Sequence, residues 1–116
     1  MKGLAVLLVD DEPLMRLSMM DALEAVGCEV QAASTGTEGL EAIREKTYDV
    51  VITDLRLPGV DGLTVLQTAK GKEPQTEVLV ITAHGSVETA VEAMKLGAFD
   101  YITKPFQMDE LLLIVE

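Results

Sequence analysis

Three acidic residues stand together where an apolar run near the start of the chain ends. The segment VLLVDDEP, residues 6–13, places Asp10, Asp11 and Glu12 directly after four aliphatic side chains. Carboxylates this close in a partly buried cleft repel one another and raise one another's pKa. A divalent cation removes that penalty. A site made of oxygen ligands suits Mg²⁺, which keeps several waters and binds phosphate oxygens, and the chain has no cluster of Cys and His for zinc.

Polar residues also end three later apolar runs. Asp54 follows VVIT, Thr82 follows VLVI and Lys104 follows DYIT. The carboxyl ends of parallel strands meet at one edge of a sheet, which is where such folds bind ligands. A metal ion, an ammonium, a hydroxyl and free backbone N–H groups together make a pocket for a tetrahedral anion. One carboxylate remains as a nucleophile, so these residues predict a phosphoryl-transfer site.

The elements that must position these residues alternate along the chain. The predicted strands span residues 4–9, 28–33, 48–53, 77–81 and 99–102. The predicted helices span residues 13–26, 36–46, 63–69, 87–96 and 108–115, with Thr35 (in a capping box with Glu38) and Ser86 as N-caps of two of them. Strict alternation indicates a parallel sheet with helices on both faces. We therefore predict an α/β fold with a doubly wound five-stranded sheet.

Length and charge narrow the class of protein. The 116 residues are enough for one domain with its own core, and we assign residues 1–116 to it. The net charge of −11 disfavours direct binding to nucleic acid or to anionic membranes. No apolar run is long enough for a membrane span, so we expect a cytoplasmic protein. The chain ends inside an apolar helical pattern, which suggests a domain taken from a longer protein.

At these residues the sequence resembles the receiver domain of bacterial two-component response regulators. The segments VDDEP, DLRLPGVDG, TAH and KPF occur in the order and at the spacings of that family. The resemblance covers essentially the whole chain and implies the strand order 2-1-3-4-5. It also implies a signalling switch, which takes a phosphoryl group from the phosphohistidine of a sensor histidine kinase and later hydrolyses it. Such a domain catalyses its own modification and has no turnover substrate.

The resemblance implies roles for the residues at the strand ends. Asp54 matches the phosphoryl acceptor. Mg²⁺, for which Mn²⁺ is an expected substitute, would be bound by Asp11, Asp54, the backbone carbonyl of Arg56 and, through water, Asp10. The phosphoryl oxygens would be bound by Lys104, Thr82 and the backbone N–H groups of Ala83 and Arg56.

Further residues match positions that control switching and rate in the family. Thr82 and Tyr101 match its switch pair, which repacks the face made by helix 4, strand 5 and helix 5. The bond between Lys104 and Pro105 is expected to be cis, as proline permits. His84 and the side chain of Arg56 occupy positions that tune the lifetime of the phosphoryl group.

Two surfaces are expected to meet partners. The stretch TAHGSVETAVEAMKLGAFDYITKPF resembles receivers attached to AAA+ activators of the nitrogen-regulatory type. This implies a C-terminal output part, an AAA+ ATPase with a DNA-binding domain, and a homodimer through the face of helix 4, strand 5 and helix 5. On the first helix Leu14, Leu17 and Met20 fall off the predicted buried stripe, and we expect them to dock the kinase.

Three alternatives remain open from the sequence. A stand-alone receiver would act through protein–protein contact. A Mg²⁺-dependent phosphatase of the haloacid-dehalogenase type would need an acid where Arg56 stands, and a cap domain. A flavodoxin-like flavin module would need hydroxyl groups after the first strand and aromatic residues around the ring, but acids stand there and aromatic residues make up only 3% of the chain.

Overall fold

The computed structural model describes residues 3–83 and 87–115. Five parallel strands form one sheet in the order β2-β1-β3-β4-β5, which confirms the predicted fold and strand order. The strands are β1 (Ala5–Val9), β2 (Glu29–Ala33), β3 (Val50–Asp54), β4 (Glu77–Thr82) and β5 (Asp100–Thr103). The helices are α1 (Pro13–Ala25), α2 (Gly36–Glu45), α3 (Gly62–Lys72), α4 (Val87–Lys95) and α5 (Met108–Val115).

The central strands carry aliphatic side chains on both faces of the sheet, and each face has its own core. Alternate residues of a strand point to opposite faces, so Leu7 and Val9 enter one core while Val6 and Leu8 enter the other. The first core is closed by side chains of α2, α3 and α4, and the second by side chains of α1 and α5. Because both faces are covered, polar groups of the central strands can gather only at the strand ends.

Several element boundaries differ from the predicted ones. β3 begins two residues later than predicted and includes Asp54. α3 continues to Lys72, beyond the predicted end at residue 69. The amine of Lys72 explains the extra turn, because it donates to the carbonyls of Ile43, Arg44 and Lys46 at the end of α2. This contact between two helices is not visible in the sequence of either one.

The predicted capping box of α2 is half formed. The Thr35 hydroxyl accepts a hydrogen bond from the Glu38 backbone N–H at 3.1 Å, as a capping residue does. The Glu38 carboxylate, however, accepts from the backbone N–H and the hydroxyl of Ser34, at 2.7 and 2.8 Å. The Glu38 carboxylate thus accepts from Ser34, whereas in a capping box it would accept from the backbone N–H of Thr35. Ser86, the other predicted cap, lies outside the described residues.

The predicted surface patch on α1 is only partly present. Leu14 and Leu17 are 81% and 55% exposed, in agreement with the helical pattern. Met20 is partly buried and packs against the core between the sheet and the helices α1 and α5, so its assignment to the surface was wrong. Packing of α5 beside α1 widens the buried stripe of α1 beyond the set of residues that face the sheet.

Within residues 3–83 and 87–115, none of the helices has the length and apolar character needed to cross a membrane.

Candidate functional site

The ammonium of Lys104 lies among three carboxylates at the carboxyl edge of the sheet. Its Nζ is 2.5 Å from Glu12 Oε1, 2.9 Å from Asp54 Oδ2 and 3.5 Å from Asp10 Oδ2. Asp10 and Glu12 follow β1, Asp54 ends β3 and Lys104 follows β5. The parallel register of these strands therefore brings together residues that are up to 94 positions apart in the sequence.

Asp10 is fully buried, and its conformation is fixed by its neighbours. Its backbone N–H donates to the carbonyl of Ala33 at 3.2 Å, and its own carbonyl accepts from the guanidinium of Arg16 at 2.8 Å. Its Oδ1 accepts from the backbone N–H of Glu12 at 2.9 Å. Within the described part of the chain, its buried Oδ2 has no hydrogen-bond donor.

The electrostatics of the site follow from burial and charge. Burial raises the pKa of Asp10 above its ordinary value, and the charges of Asp54 and Glu12 raise it further, against the backbone hydrogen bond and Lys104. Burial alone would lower the pKa of Lys104. Its hydrogen bonds to Glu12 and Asp54, together with the charges of the acids, outweigh burial and raise that pKa well above its ordinary value. Lys104 thus stays protonated at neutral pH.

This cluster of oxygens suits a hard divalent cation. Asp10, Glu12 and Asp54 each offer an oxygen, and these atoms lie within 4.8 Å of one another. One ammonium among three carboxylates leaves two negative charges uncompensated, and the described residues provide no hydrogen-bond donor to the buried Oδ2 of Asp10. Oxygen ligands, surplus negative charge and a cleft open to water match the coordination that Mg²⁺ takes in proteins. The residues therefore fit the ion that the sequence suggests.

Asp11 and Glu12 lie differently with respect to Lys104. Asp11 is exposed and lines the cleft, together with Arg56, Ala83 and the residues around Lys104. It does not belong to the close group of oxygens, whereas Glu12 does. The sequence placed Glu12 in the acidic run but gave it no role. The turn from β1 into α1, which the sequence does not reveal, decides which acid faces the lysine.

The backbone after β3 holds the Asp54 carboxylate in place. The backbone N–H of Arg56 donates to Asp54 Oδ1 at 2.9 Å. The other oxygen, Oδ2, faces Lys104 and accepts from its ammonium. Leu55 donates to the carbonyl of Ile81 at 3.0 Å and thereby ties the loop to β4. The Arg56 side chain is exposed.

The hydroxyl of Thr82 points from the end of β4 toward β5. Thr82 is buried, and its Oγ1 lies 3.3 Å from the hydroxyl of Thr103 and 3.5 Å from the carbonyl of Ile102. Thr103 faces Thr82 across the register of β4 and β5 and was missed in the sequence, where it is only the residue before Lys104. The side chain of Tyr101 is 45% exposed.

Two other expected features concern the neighbouring loops. The peptide bond between Lys104 and Pro105 is cis. His84 lies outside the described residues, so its expected role has no structural counterpart here. Ala83 borders both the acidic cleft and a small pocket that Thr82 and Thr89 also line.

Comparison with known proteins gives the family. The sequence profile of the response regulator receiver domain matches residues 6–116. The chain belongs to this family. As a receiver domain it has several solved relatives, among them a CheY-like receiver domain protein from Methanospirillum hungatei. That structure has a TM-score of 0.92 and 31% identity, and the match covers 98% of this chain and 91% of the other.

The curated relatives of this receiver domain are longer proteins. The DNA-binding transcriptional regulator NtrC of Escherichia coli K12 is 41% identical over 111 residues, 96% of this chain and 24% of that protein. A putative NtrX-like response regulator of Rickettsia typhi is 41% identical over 118 residues, 100% of this chain and 25% of that protein. The chain thus spans about a quarter of the length of these relatives. The predicted likeness to regulators of the nitrogen-regulatory type is confirmed.

Proposed function

We propose that this receiver domain accepts a phosphoryl group on Asp54 from the phosphohistidine of a sensor histidine kinase, in a reaction that depends on Mg²⁺. The observation that carries the proposal is the position of Asp54 Oδ2, 2.9 Å from Lys104 Nζ and near the buried Oδ2 of Asp10, which accepts no hydrogen bond from the residues that the structure describes. A carboxylate between an ammonium and a cation site is placed both to attack phosphorus and to have the new charge neutralised.

The side chains have separate tasks in this transfer. A carboxylate oxygen of Asp54 forms the new P–O bond while the P–N bond to the kinase histidine breaks, and the histidine keeps the electron pair. Lys104 donates to the phosphoryl oxygens, and the N–H of Ala83 lines the same cleft. Asp10, Asp11, Asp54 and the carbonyl of Arg56 are the residues that would hold Mg²⁺. When bound, the ion neutralises phosphoryl oxygens during the transfer.

Thr82 is the proposed link between the acceptor and the surface. Its hydroxyl contacts Thr103 and the carbonyl of Ile102 only at 3.3 and 3.5 Å, which are long for bonds between oxygens. A phosphoryl oxygen offers a charged and stronger acceptor. Movement of Thr82 toward it would open space beside β5, into which Tyr101 could turn. The exposed side chains of α4, β5 and α5 include Val91, Met94, Tyr101 and Leu113, and a homodimer through these elements would bury apolar surface.

The partners follow from the relatives and remain proposals. The curated relatives are about four times longer than this chain, which supports a C-terminal output part, an AAA+ ATPase with a DNA-binding domain, under control of the receiver. A stand-alone receiver that acts by protein contact is the alternative. Exposed Leu14 and Leu17 on α1 are the proposed contact for the kinase, and the cytoplasm is the proposed compartment.

The test is the intact mass of the protein after incubation with acetyl phosphate, with and without Mg²⁺. We expect one phosphoryl adduct that requires both Mg²⁺ and Asp54. The Asp54→Asn variant should show none, while Asp21→Asn, which removes an equal charge from the exposed part of α1, should behave as wild type. If no adduct forms and a titration with beryllofluoride also shows no binding, the proposed chemistry is wrong.

A further inference from the structure

Glu12 makes the shortest contact of Lys104, yet neither the fold nor the proposed transfer gives it a task. Its Oε1 is 2.5 Å from the ammonium, closer than either aspartate. Its side chain is 60% exposed, compared with 9% for Asp54 and 0% for Asp10. An acid that is close to the key cation but open to water can leave it at little cost in solvation.

Before any phosphoryl group arrives, Lys104 donates hydrogen bonds to Glu12 and Asp54, and within the described residues its contact with Asp10 Oδ2 at 3.5 Å is an ion pair without a hydrogen bond. An ammonium has three N–H donors, and three carboxylates surround this one. A phosphoryl group on Asp54 is a more highly charged acceptor for the same ammonium, so the carboxylate that is held least firmly gives way to it. Asp54 carries the phosphoryl group itself. Asp10 is buried and held by hydrogen bonds to Ala33, Arg16 and the backbone of Glu12.

Only the side chain of Glu12 is free to move among the three. Its backbone is fixed, since its N–H donates to Asp10 Oδ1 and its carbonyl accepts from the backbone N–H of Arg16 at 2.9 Å. Rotation of its side chain takes the carboxylate into water without disturbing the turn. The departure of Glu12 also removes a negative charge from the path of an incoming anion.

We propose that Glu12 is the counter-ion of Lys104 in the unphosphorylated site and competes with the phosphoryl group for it. Glu12 thereby slows phosphorylation of Asp54 and holds Lys104 in place until the phosphoryl group arrives. The inference rests on the proposed function, because it concerns the lysine that would bind the phosphoryl group. It gives Glu12 a different task from that of a metal ligand, for which its oxygen is also near enough.

The test compares Glu12→Gln with Glu24→Gln, which removes the same charge from an exposed position of α1. The first measurement is the labelling rate of each lysine by an amine-reactive acetylating reagent, without Mg²⁺ or phosphodonor, followed by peptide mass spectrometry. An amine held in an ion pair reacts slowly. We expect Glu12→Gln to label Lys104 about two- to fivefold faster, as befits a partly exposed ion pair, and to leave Lys46 unchanged.

The second measurement is the initial rate of phosphorylation by acetyl phosphate at saturating Mg²⁺. We expect Glu12→Gln to be about two- to fivefold faster than wild type and Glu24→Gln to be unchanged. Unchanged labelling of Lys104 in Glu12→Gln would overturn the inference. So would slower phosphorylation with weaker Mg²⁺ binding, which would make Glu12 a metal ligand. The labelling needs no phosphoryl transfer, so its outcome is independent of whether Asp54 is the acceptor.

Discussion

Replacement of Asp10 by Asn should make the metal-free domain more stable while it impairs the site. Asp10 is buried, its Oδ2 accepts no hydrogen bond within residues 3–83 and 87–115, and two other carboxylates lie close to it. The Asn side chain has almost the same shape. Its amide oxygen can keep the hydrogen bond from the backbone N–H of Glu12, while the buried negative charge disappears. The change therefore isolates the cost of that charge.

The magnitude follows from the distances. At an effective dielectric constant of about 20, attraction to Lys104 at 3.5 Å is about 5 kcal/mol. Repulsion by Asp54 and by Glu12, each within 4.8 Å, is about 3.5 kcal/mol or more for each acid, so that together they outweigh the attraction to Lys104. Solvent screening reduces the share of exposed Glu12, and the buried oxygen without a donor adds a penalty. We expect a net gain of about 1–3 kcal/mol in the free energy of unfolding.

The predicted gain in stability of Asp10→Asn agrees with the raised pKa of Asp10. Because the pKa of Asp10 is raised in the folded state, its native carboxyl binds a proton more readily than the unfolded one. The stability that this proton provides is present at low pH and is lost as the pH rises through the folded pKa. The advantage of Asp10→Asn should therefore be largest at neutral pH and should decline as the pH falls toward the ordinary value of 3.8.

Urea unfolding in EDTA and in Mg²⁺ provides the assay. In EDTA the variant should have the higher midpoint, and its melting temperature should rise by about 4 °C for each kcal/mol. At a Mg²⁺ concentration of 100 Kd the wild type should gain about 2.7 kcal/mol and the variant clearly less. Exposed Asp21→Asn is the control and should stay within about 0.5 kcal/mol of wild type. Lower stability of Asp10→Asn in EDTA would refute the reasoning, because attraction to the lysine would then outweigh burial and repulsion.

Three other changes test separate parts of the structure. Gly62→Ala should lower the free energy of unfolding in urea by about 1–3 kcal/mol, because its Cβ would lie 2.2 Å from the backbone carbonyl oxygen of Asp54, whereas Gly71→Ala, with open space around it, should not destabilise. Replacement of Leu14 and Leu17 by Ser should slow phosphoryl transfer from the cognate kinase and leave phosphorylation by acetyl phosphate unchanged. An equal loss of rate with both donors would exclude these residues as the docking site of the kinase. The raised pKa of Lys104 means that its contribution to stability is complete below its ordinary value of 10.5 and is lost as the pH rises through the higher folded value. The difference in unfolding free energy between wild type and Lys104→Met should thus be constant near neutral pH and shrink only above pH 10.5.

The sheet was predictable because the sequence signal is strong and local. Runs such as VLLV and VLVI are typical of central strands covered on both faces, and the segments between them show the helical period. The bounds of α5 agree with the prediction at both ends. The end of α3 was missed because its last turn contains Gly71, a weak helix former, and is held by hydrogen bonds from the Lys72 amine to backbone carbonyls at the end of α2.

The sequence predicted which residues form the site better than it predicted how they are arranged. Strand ends placed Asp10, Asp54 and Lys104 at one edge, and the structure brings them together. Whether Asp11 or Glu12 contacts Lys104 depends on the turn that leads into α1, which begins at Pro13. Thr103 was missed for a similar reason, since only the register of β4 and β5 shows that its hydroxyl faces Thr82.

The charge balance of the site connects its instability with its proposed role. Three carboxylates and one ammonium leave a surplus of two negative charges, which matches one divalent cation. A phosphoryl group on Asp54 would add negative charge again, and the Lys104 ammonium lies 2.9 Å from the Asp54 carboxylate to compensate it. A ligand shifts a conformational equilibrium only by the difference in its interactions with the two states. Surplus negative charge before phosphorylation makes the interactions of the two states differ strongly. Glu12 is the most easily released partner of Lys104, so its contact with the lysine determines how strongly the unphosphorylated state is held.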